Sequence, residues 1–313
     1  MTAIEKLKEI SAFLESNGIE DAAKEAELLI TEALLKKQLQ VLSFKFQDQK
    51  RIKAKIYAGD LNIDDETLLL IDNFAERRAH GEPLQYISGH VEFLGLIINV
   101  GSGVLIPRPE TELLVEQAIK AVSSVKCKVS GAECQVKGER VFLDLCTGSG
   151  CIALALGRHF PQAAVYGIDK SSNAIAYAEH NAVKNKITNV HFMQGNLFEP
   201  VMGMKFDCII SNPPYIKRSE IPRLQREIRD YEPAEALDGG EDGLDFYRII
   251  LSNSPEFLKD NGLLIMEIGI GQSENILRLA VKANFSDIEF IEDYAGIKRI
   301  FIGKIKQGVF VSF

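Results

Sequence analysis

Nowhere in this sequence do apolar residues run on for the ~20 positions that a membrane-spanning helix needs, so no such helix is expected. Residues 1–16 carry acids and no apolar h-region, and no secretory signal is expected there. No Cys-x-x-Cys and no His-x-x-x-His pair occurs, which leaves a zinc site without support, and no metal is expected. The cysteines are five (Cys127, Cys134, Cys146, Cys151 and Cys208), an odd number in a long chain. They fit reduced thiols and a cytoplasmic location better than a disulfide framework. Positive charge is also in short supply, with 36 Lys and Arg against 44 Asp and Glu and a net charge of −8. Such a chain does not draw phosphate backbones over its whole surface, so nucleic acid is disfavoured as a direct substrate, although a local basic groove would still serve. What is present is ordinary for a globular protein. The composition is 46% hydrophobic and 26% charged over 313 residues, which rules out a disordered or collagen-like chain and suggests about two domains.

The first 80 or so residues read as helical. Ile4, Leu7, Ile10 and Leu14 recur at helical spacing, and Ala22, Ala26, Leu29, Ala33 and Leu34 do so again after a break at Asn17-Gly18. A third segment runs over 47–57. A fourth opens on Asp64, Asp65 and Glu66, carries Leu68, Ile71 and Phe74, and closes with Arg77, Arg78, His80 and Gly81, a charge order that complements the helix dipole. Three short β-type runs follow, at 84–87, 91–94 and 96–100, punctuated by Gly89 and Gly95. Pro107 and Pro109 introduce a helix over 110–122, and the polar stretch 123–139 reads as a loop. From Val141 onward, strand-like and helical segments alternate, which predicts a mostly parallel sheet covered on both faces. The expected layout is a helical domain over 1–82, a β-hairpin linker over 83–107 and an α/β domain over 108–313.

In such sheets a ligand sits at the carboxyl ends of the strands. The first strand of the α/β region ends in Asp144-Leu145-Cys146-Thr147-Gly148-Ser149-Gly150. The two glycines allow a tight strand-to-helix turn and close approach of a ligand to bare backbone. The spacing is Gly-x-Gly, not the longer dinucleotide fingerprint, and an acid precedes it. Asp144 would repel a pyrophosphate but could accept hydrogen bonds from an ammonium group, directly or through water. A second acid, Asp169, ends the next strand, where it can accept both hydroxyls of a ribose. A sugar plus a cationic amino acid points to S-adenosylmethionine more than to NAD.

The fourth strand of this region, 206–211, runs into Asn212-Pro213-Pro214-Tyr215. Two prolines forbid strand continuation and fix the backbone. Such a site offers two acceptors, the Asn212 side-chain oxygen and the Pro213 carbonyl, against the two donors of a planar NH₂ group. That match selects an amide or an exocyclic amine. An amide nitrogen is a poor nucleophile because its lone pair is delocalised. Acceptors on both N–H bonds fix its plane and stabilise the positive charge that develops as a methyl arrives. Tyr215 could stack on the flat target.

With these residues the sequence resembles the HemK-type family of protein-(glutamine-N5) methyltransferases that act on peptide chain release factors. The likeness runs through Gly81 to Gly89, Glu92-Phe93, Leu105-Ile106-Pro107-Arg108-Pro109-Glu110-Thr111-Glu112, the glycine loop, the segment from Ser211 to Ile216, and Glu232-Pro233 with Ala236-Leu237. The resemblance implies a Rossmann-like S-adenosylmethionine-dependent methyltransferase domain behind a small helical bundle. It implies transfer of a methyl group to the glutamine of the Gly-Gly-Gln loop of class-1 release factors, with the bundle gripping the factor elsewhere. By resemblance, Asp144, Cys146, Thr147, Gly148, Ser149, Gly150, Asp169, Asn196, Leu197 and Asn212 form the cofactor site. Asn212, Pro213, Pro214 and Tyr215 hold the glutamine amide, and Arg108 and Pro109 lie near the peptide. The family usually has glycine where this chain has Cys146, which a cysteine can replace if φ there is negative. It often has an acid and an aromatic residue where this chain has Asn196-Leu197. Asn196 would then meet the adenine amino group through its oxygen, and Leu197 would cover the ring.

The alternatives differ in substrate. A ribosomal protein glutamine would use the same site. A DNA or RNA amino group would fit the same acceptors after base flipping. A binding module that kept the fold without the activity is a third class. Lys217, Arg218, Arg223, Arg226 and Arg229 form either a basic docking strip or lid, or a solvated helix, and the five histidines are too scattered to ligate a metal.

Overall fold

The computed structural model describes residues 1–38, 46–59, 61–124, 127–129, 132–134 and 140–305. They divide into two compact units, one of residues 1–89 and 226–231 and one of residues 90–225 and 232–313.

The first unit is helical. Helix α1 (Ala3–Ser16) starts with a capping box, in which Glu5 N donates to Thr2 and Thr2 N donates back to Glu5. Helices α2 (Ala22–Gln38) and α3 (Phe46–Ala58) follow. Helix α4 (Asp65–Ala79) is capped by Asp64, whose carboxylate accepts from Thr67 N at 2.9 Å. The apolar stripes read from the sequence meet inside: Leu14, Leu29, Ile30, Ile56, Ile71 and Phe74 form one buried cluster. Phe74→Ala should lower the stability of this unit by about 3–5 kcal/mol, measured by chemical denaturation, because it empties a fully packed site.

The run at 84–87 is not a strand. It is a five-residue helix, α5 (Leu84–Ser88), started by Pro83 and ended by Gly89 in the left-handed region at φ 82°. Pro83 presets a helical start, and Tyr86 and Ile87 turn inward from one short turn. The helical unit therefore extends to Gly89, past the expected boundary at 82.

In the second unit, β1 (His90–Phe93) and β2 (Leu96–Asn99) form the expected hairpin. Its turn, Leu94-Gly95, has φ of 46° and 74°, the positive pair of a two-residue turn suited to strand twist. Helix α6 (Pro109–Ser124) follows, and Leu94 N donates to Glu112 on it at 2.8 Å. Within the stretch expected as loop, β3 (Cys127–Val129) and β4 (Ala132–Cys134) pair antiparallel. Residues 125–126, 130–131 and 135–139 of that stretch lie outside the described residues.

The alternation then unfolds as expected: β5 (Val141–Leu145), α7 (Cys151–His159), β6 (Ala164–Asp169), α8 (Ser172–Asn185), β7 (Val190–Gln194) and β8 (Phe206–Ser211). The short helix α9 (Arg226–Tyr231) belongs to the first unit, where Arg78 pairs with Glu227 and Tyr231 donates to the His80 carbonyl. Helix α10 (Asp245–Phe257), β9 (Leu258–Glu267), α11 (Ser273–Lys282), β10 (Phe285–Glu292) and β11 (Lys298–Ile305) complete the unit. The seven-stranded sheet has the order β10-β11-β9-β8-β5-β6-β7; its five members from β9 to β7 are parallel, β11 pairs antiparallel with β9, and β10 pairs antiparallel with β11.

The chain leaves β5 toward β6 and β7 and returns to β8 on the other side of β5. That reversal opens a crevice at the carboxyl ends of β5 and β8, where loops diverge. Leu145 and Ser211, the last residues of the two strands, are register partners, and Ser211 Oγ donates to the Leu145 carbonyl at 2.8 Å. Ser211 also pairs with Met266 on β9, so the next residues out, Asn212 and Glu267, emerge side by side.

The hairpin is built into this unit. Asn181 and Asn185 on α8 bond the backbone edge of β2 that faces away from β1: Asn99 N donates to Asn181 Oδ1 at 2.7 Å, and Asn185 Nδ2 donates to the Ile97 carbonyl at 2.9 Å. Asparagine side chains here stand in for a neighbouring strand.

Candidate active site

A cavity of about 340 Å³ opens at the reversal point. Its wall takes Cys146, Thr147, Gly148 and Ser149 from the loop after β5, Asp169 from the end of β6, Asn196 and Leu197 from beyond β7, and Asn212 and Pro214 from beyond β8. Gly103, Val104, Leu105, Pro107 and Thr111 line it ahead of and within α6; Pro233, Glu235, Ala236, Asp238 and Phe246 do so from beyond β8, and Lys170 lies on the wall beside Asp169.

The glycine loop is tied to the end of β6. Thr147 N donates to the Ile168 carbonyl and Gly148 N to Asp169 Oδ2, each at 2.9 Å. Gly150 has φ 81° and sits where a Cβ would lie 2.8 Å from Phe192 and 3.2 Å from the Ala178 backbone. Gly150→Ala should therefore lower unfolding stability by about 1–3 kcal/mol, read as a lower denaturation midpoint. Cys146 does not take the negative φ expected of a cysteine. It stands at 59°, in the left-handed region. The turn demands that conformation of whatever residue follows β5, a region that glycine enters without the steric cost a Cβ brings.

Asp144 is placed differently from the sequence expectation. It is fully buried beneath the loop and does not reach the cavity wall. Its Oδ2 accepts from Thr147 Oγ1 at 2.5 Å and from Ala153 N, in the first turn of α7, at 3.1 Å. It thus braces the loop and satisfies a helix N-terminus that Gly150 cannot cap. Burial pushes its carboxyl up to about 7, against those two hydrogen bonds.

Asp169 does face the cavity. Burial raises its carboxyl, while N–H groups of Ser171 and Gly148 pull the other way. Oδ1 takes the Ser171 N–H and Oδ2 the Gly148 N–H, both at 2.9 Å. Each oxygen retains an acceptor site, the pair that a ribose diol requires. Asn196 Nδ2 donates to Glu199 at 3.3 Å, so its oxygen is the atom left to accept from a ligand. Leu197 is buried, with φ 51°, and lines the cavity as an apolar surface.

The fit of this cavity to S-adenosylmethionine can be judged from its own atoms. Among the described residues, Ser149 Oγ on the wall and Asp144 Oδ1 behind it are buried without a hydrogen-bond partner, an arrangement that a polar amino-acid head or an intervening water satisfies. Asp169 supplies diol acceptors, and Asp169, Glu235 and Asp238 against Lys170 leave the wall a negative balance suited to a sulfonium cation. The residues fit.

Of the four residues after β8, Asn212 and Pro214 line the cavity, whereas Pro213 and Tyr215 do not. Asn212 Nδ2 donates to Thr111 Oγ1 at 3.1 Å. The Tyr215 hydroxyl donates to Glu267 Oε1 at 3.3 Å, and burial pushes that phenol up. Stacking of Tyr215 on a substrate is therefore not its placement here. Arg108 and Pro109 do not line the cavity either. Arg108 donates to Glu232, whose other oxygen accepts from Ile106 N at 3.1 Å, so this pair joins the segment before α6 to the strap that carries Pro233. Four of the five basic residues of 217–229 have acidic partners: Lys217 with Glu220, Arg218 with Asp238, and Arg226 and Arg229 with Asp230.

Two residues with no role assigned from sequence stand behind Asn212. Thr111 Oγ1 donates to Glu267 Oε2 at 2.8 Å, and both are buried. Burial raises the Glu267 carboxyl to about 7. Glu267 ends the strand beside β8, and that position was the available signal.

The strand order, the glycine loop after β5 and the acid at the end of β6 define the class: this is an S-adenosylmethionine-dependent methyltransferase. Residues 5–89 match the PrmC N-terminal domain and residues 113–229 the methyltransferase small domain. A relative from Geobacter sulfurreducens called release factor glutamine methyltransferase is 39% identical, over 94% of this chain and 93% of its own. One of the same name from Thermodesulfovibrio yellowstonii is 46% identical, over 80% of this chain and 86% of its own. Among solved structures, the hMettl16 catalytic domain shares the fold with a TM-score of 0.50 and 16% identity, over 81% of this chain and 86% of that one. The chain belongs to the release factor glutamine methyltransferase family.

Proposed function

We propose that this protein methylates the side-chain amide nitrogen of the glutamine in the Gly-Gly-Gln loop of class-1 peptide chain release factors, using S-adenosylmethionine. The observation that carries the reading is the Asn212 carboxamide, held at the carboxyl end of β8 on the wall of the cavity that Asp169 and the glycine loop also line. Family membership supports glutamine over a nucleic-acid amine. The N-terminal unit, residues 1–89, serves in this reading to grip the factor away from the reacting loop.

Asp169 would hold the cofactor's ribose, Asn196 its adenine amino group, and Ser149 with the loop backbone its amino-acid end. When bound, S-adenosylmethionine supplies an electrophilic methyl carbon on a sulfonium sulfur. The protein's part is to make a poor nucleophile attack it. Asn212 Oδ1 and the Pro213 carbonyl accept the two amide N–H bonds, keep the nitrogen in one plane and stabilise its growing positive charge. The rigid Pro213-Pro214 backbone holds both acceptors against recoil, so alignment comes at little entropic cost. No titrating base is required, because the surplus proton leaves the already methylated, acidified nitrogen by way of Asn212 to water. We place the protein in the cytoplasm, where the described cysteines Cys146, Cys151 and Cys208 would persist as the free thiols they are.

The test uses labelled S-adenosylmethionine and two forms of a class-1 release factor, one with the loop glutamine intact and one with it changed to alanine. Label should enter only the intact form. Equal labelling of both would contradict the site assignment.

A further inference from the structure

A carboxamide accepts a hydrogen bond only with its oxygen turned to the donor. Its two ends are nearly equal in size, so packing does not choose between them and hydrogen bonding must. Behind Asn212 the structure has a directed chain of hydrogen bonds. Asn212 Nδ2 donates to Thr111 Oγ1 at 3.1 Å, and the Thr111 hydroxyl donates to Glu267 Oε2 at 2.8 Å. Glu267 is 1% exposed and Thr111 2%, so water does not compete for the bond between them. The far end sets the direction. An ionised carboxylate only accepts, which commits the Thr111 hydrogen to it and leaves the Thr111 oxygen as an acceptor. An acceptor beside Asn212 calls for the amide nitrogen, and the amide oxygen is thereby turned away from Thr111.

We propose that Thr111 and Glu267 are positioning residues that hold the Asn212 carboxamide in a single orientation, with Oδ1 presented to the substrate amide. This rests on the reading of Asn212 as the acceptor for the substrate nitrogen. Neither residue touches the reacting atoms. The three side chains come from different elements, the first turn of α6, the end of β8 and the end of β9. Tyr215 takes a place in the same device, since its hydroxyl satisfies the second oxygen of Glu267. The charged groups acting on Glu267 are Glu110, which raises its carboxyl, and Arg299, which lowers it. At pH 8, above a value of about 7, Glu267 is ionised and the direction is set.

The experiment compares the full-length protein with Thr111→Val, Thr111→Ser and Glu267→Gln at pH 8. It measures kcat with release factor, the Kd of S-adenosylmethionine by calorimetry, and the Asn212 side-chain amide protons by NMR. Thr111→Val keeps the shape and loses the hydroxyl. It should lower kcat by about 10- to 100-fold, the range of a hydrogen bond to a charged group, with cofactor Kd changed by less than about threefold. Thr111→Ser should recover most of that rate. Glu267→Gln replaces one acceptor by a donor and should lose about tenfold in kcat. The Asn212 amide protons should shift and exchange faster in Thr111→Val than in Thr111→Ser. A Thr111→Val rate within about twofold of the parent, or a Thr111→Ser rate as low as that of valine, would overturn the proposal. If the parent protein does not methylate glutamine, the reading of Asn212 fails by itself. The amide-proton signals then still decide the orientation, unchanged signals in Thr111→Val counting against it.

Discussion

Asn212→Ala should lower kcat on the release factor by about 100- to 1,000-fold, the cost typical of removing one preorganised group from a developing charge. The same variant should bind S-adenosylmethionine nearly as the parent does, because in the proposed reading the ribose and adenine contacts fall to Asp169 and Asn196. The split between rate and cofactor affinity is the informative part. A folding defect would lower both, and calorimetry beside steady-state kinetics separates the two cases. Removal of the amide also leaves Thr111 Oγ1 without its donor, so a modest fall in thermal stability should accompany the loss of rate. A variant that turns over at near-normal rate would refute the role given to Asn212.

Asp169→Ala has its effect elsewhere. It should weaken cofactor binding by about 10- to 100-fold, since two hydrogen bonds to a carboxylate are lost at once. It also frees the Gly148 and Ser171 N–H groups that the carboxylate now holds, which loosens the glycine loop and the start of α8. Asp169→Asn separates the two effects. It keeps one acceptor and the shape of the side chain, and it should fall between the parent and Asp169→Ala in Kd. An unchanged dissociation constant in Asp169→Ala would argue against the ribose assignment.

Much of this architecture was legible because it rests on periodicity. The apolar stripes of α1, α2 and α4 and the alternation after Val141 report directly on which faces are buried. The two loops of the site were legible for a related reason: glycines and prolines mark where strands must stop. What escaped depends on contacts between distant residues. The run at 84–87 has the composition of a strand, and only its packing within the helical unit makes it a helix. Asp144 reads as a ligand-facing acid from its position in the motif, and the buried N-terminus of α7 that claims it is not visible in a linear reading. Tyr215 looked free to stack until Glu267, 52 residues away, was brought beneath it. Thr111 lay inside a segment already singled out, but its partner Glu267 arrives only through the register of β8 and β9. Cys146 shows the limit of a chemical argument made without the backbone. The residue tolerates a conformation that its type disfavours because the loop is pinned to the end of β6.

The central claim is that the Asn212 oxygen reads a planar nitrogen by its hydrogens. The most direct measurement is a structure of the protein bound to the release factor and the demethylated cofactor product. The account predicts the loop glutamine's side-chain nitrogen at about 2.9 Å from Asn212 Oδ1, with the Asn212 nitrogen still on Thr111. A glutamine bound in the cavity with its nitrogen beyond reach of that oxygen, or Asn212 turned to offer its nitrogen, would contradict it.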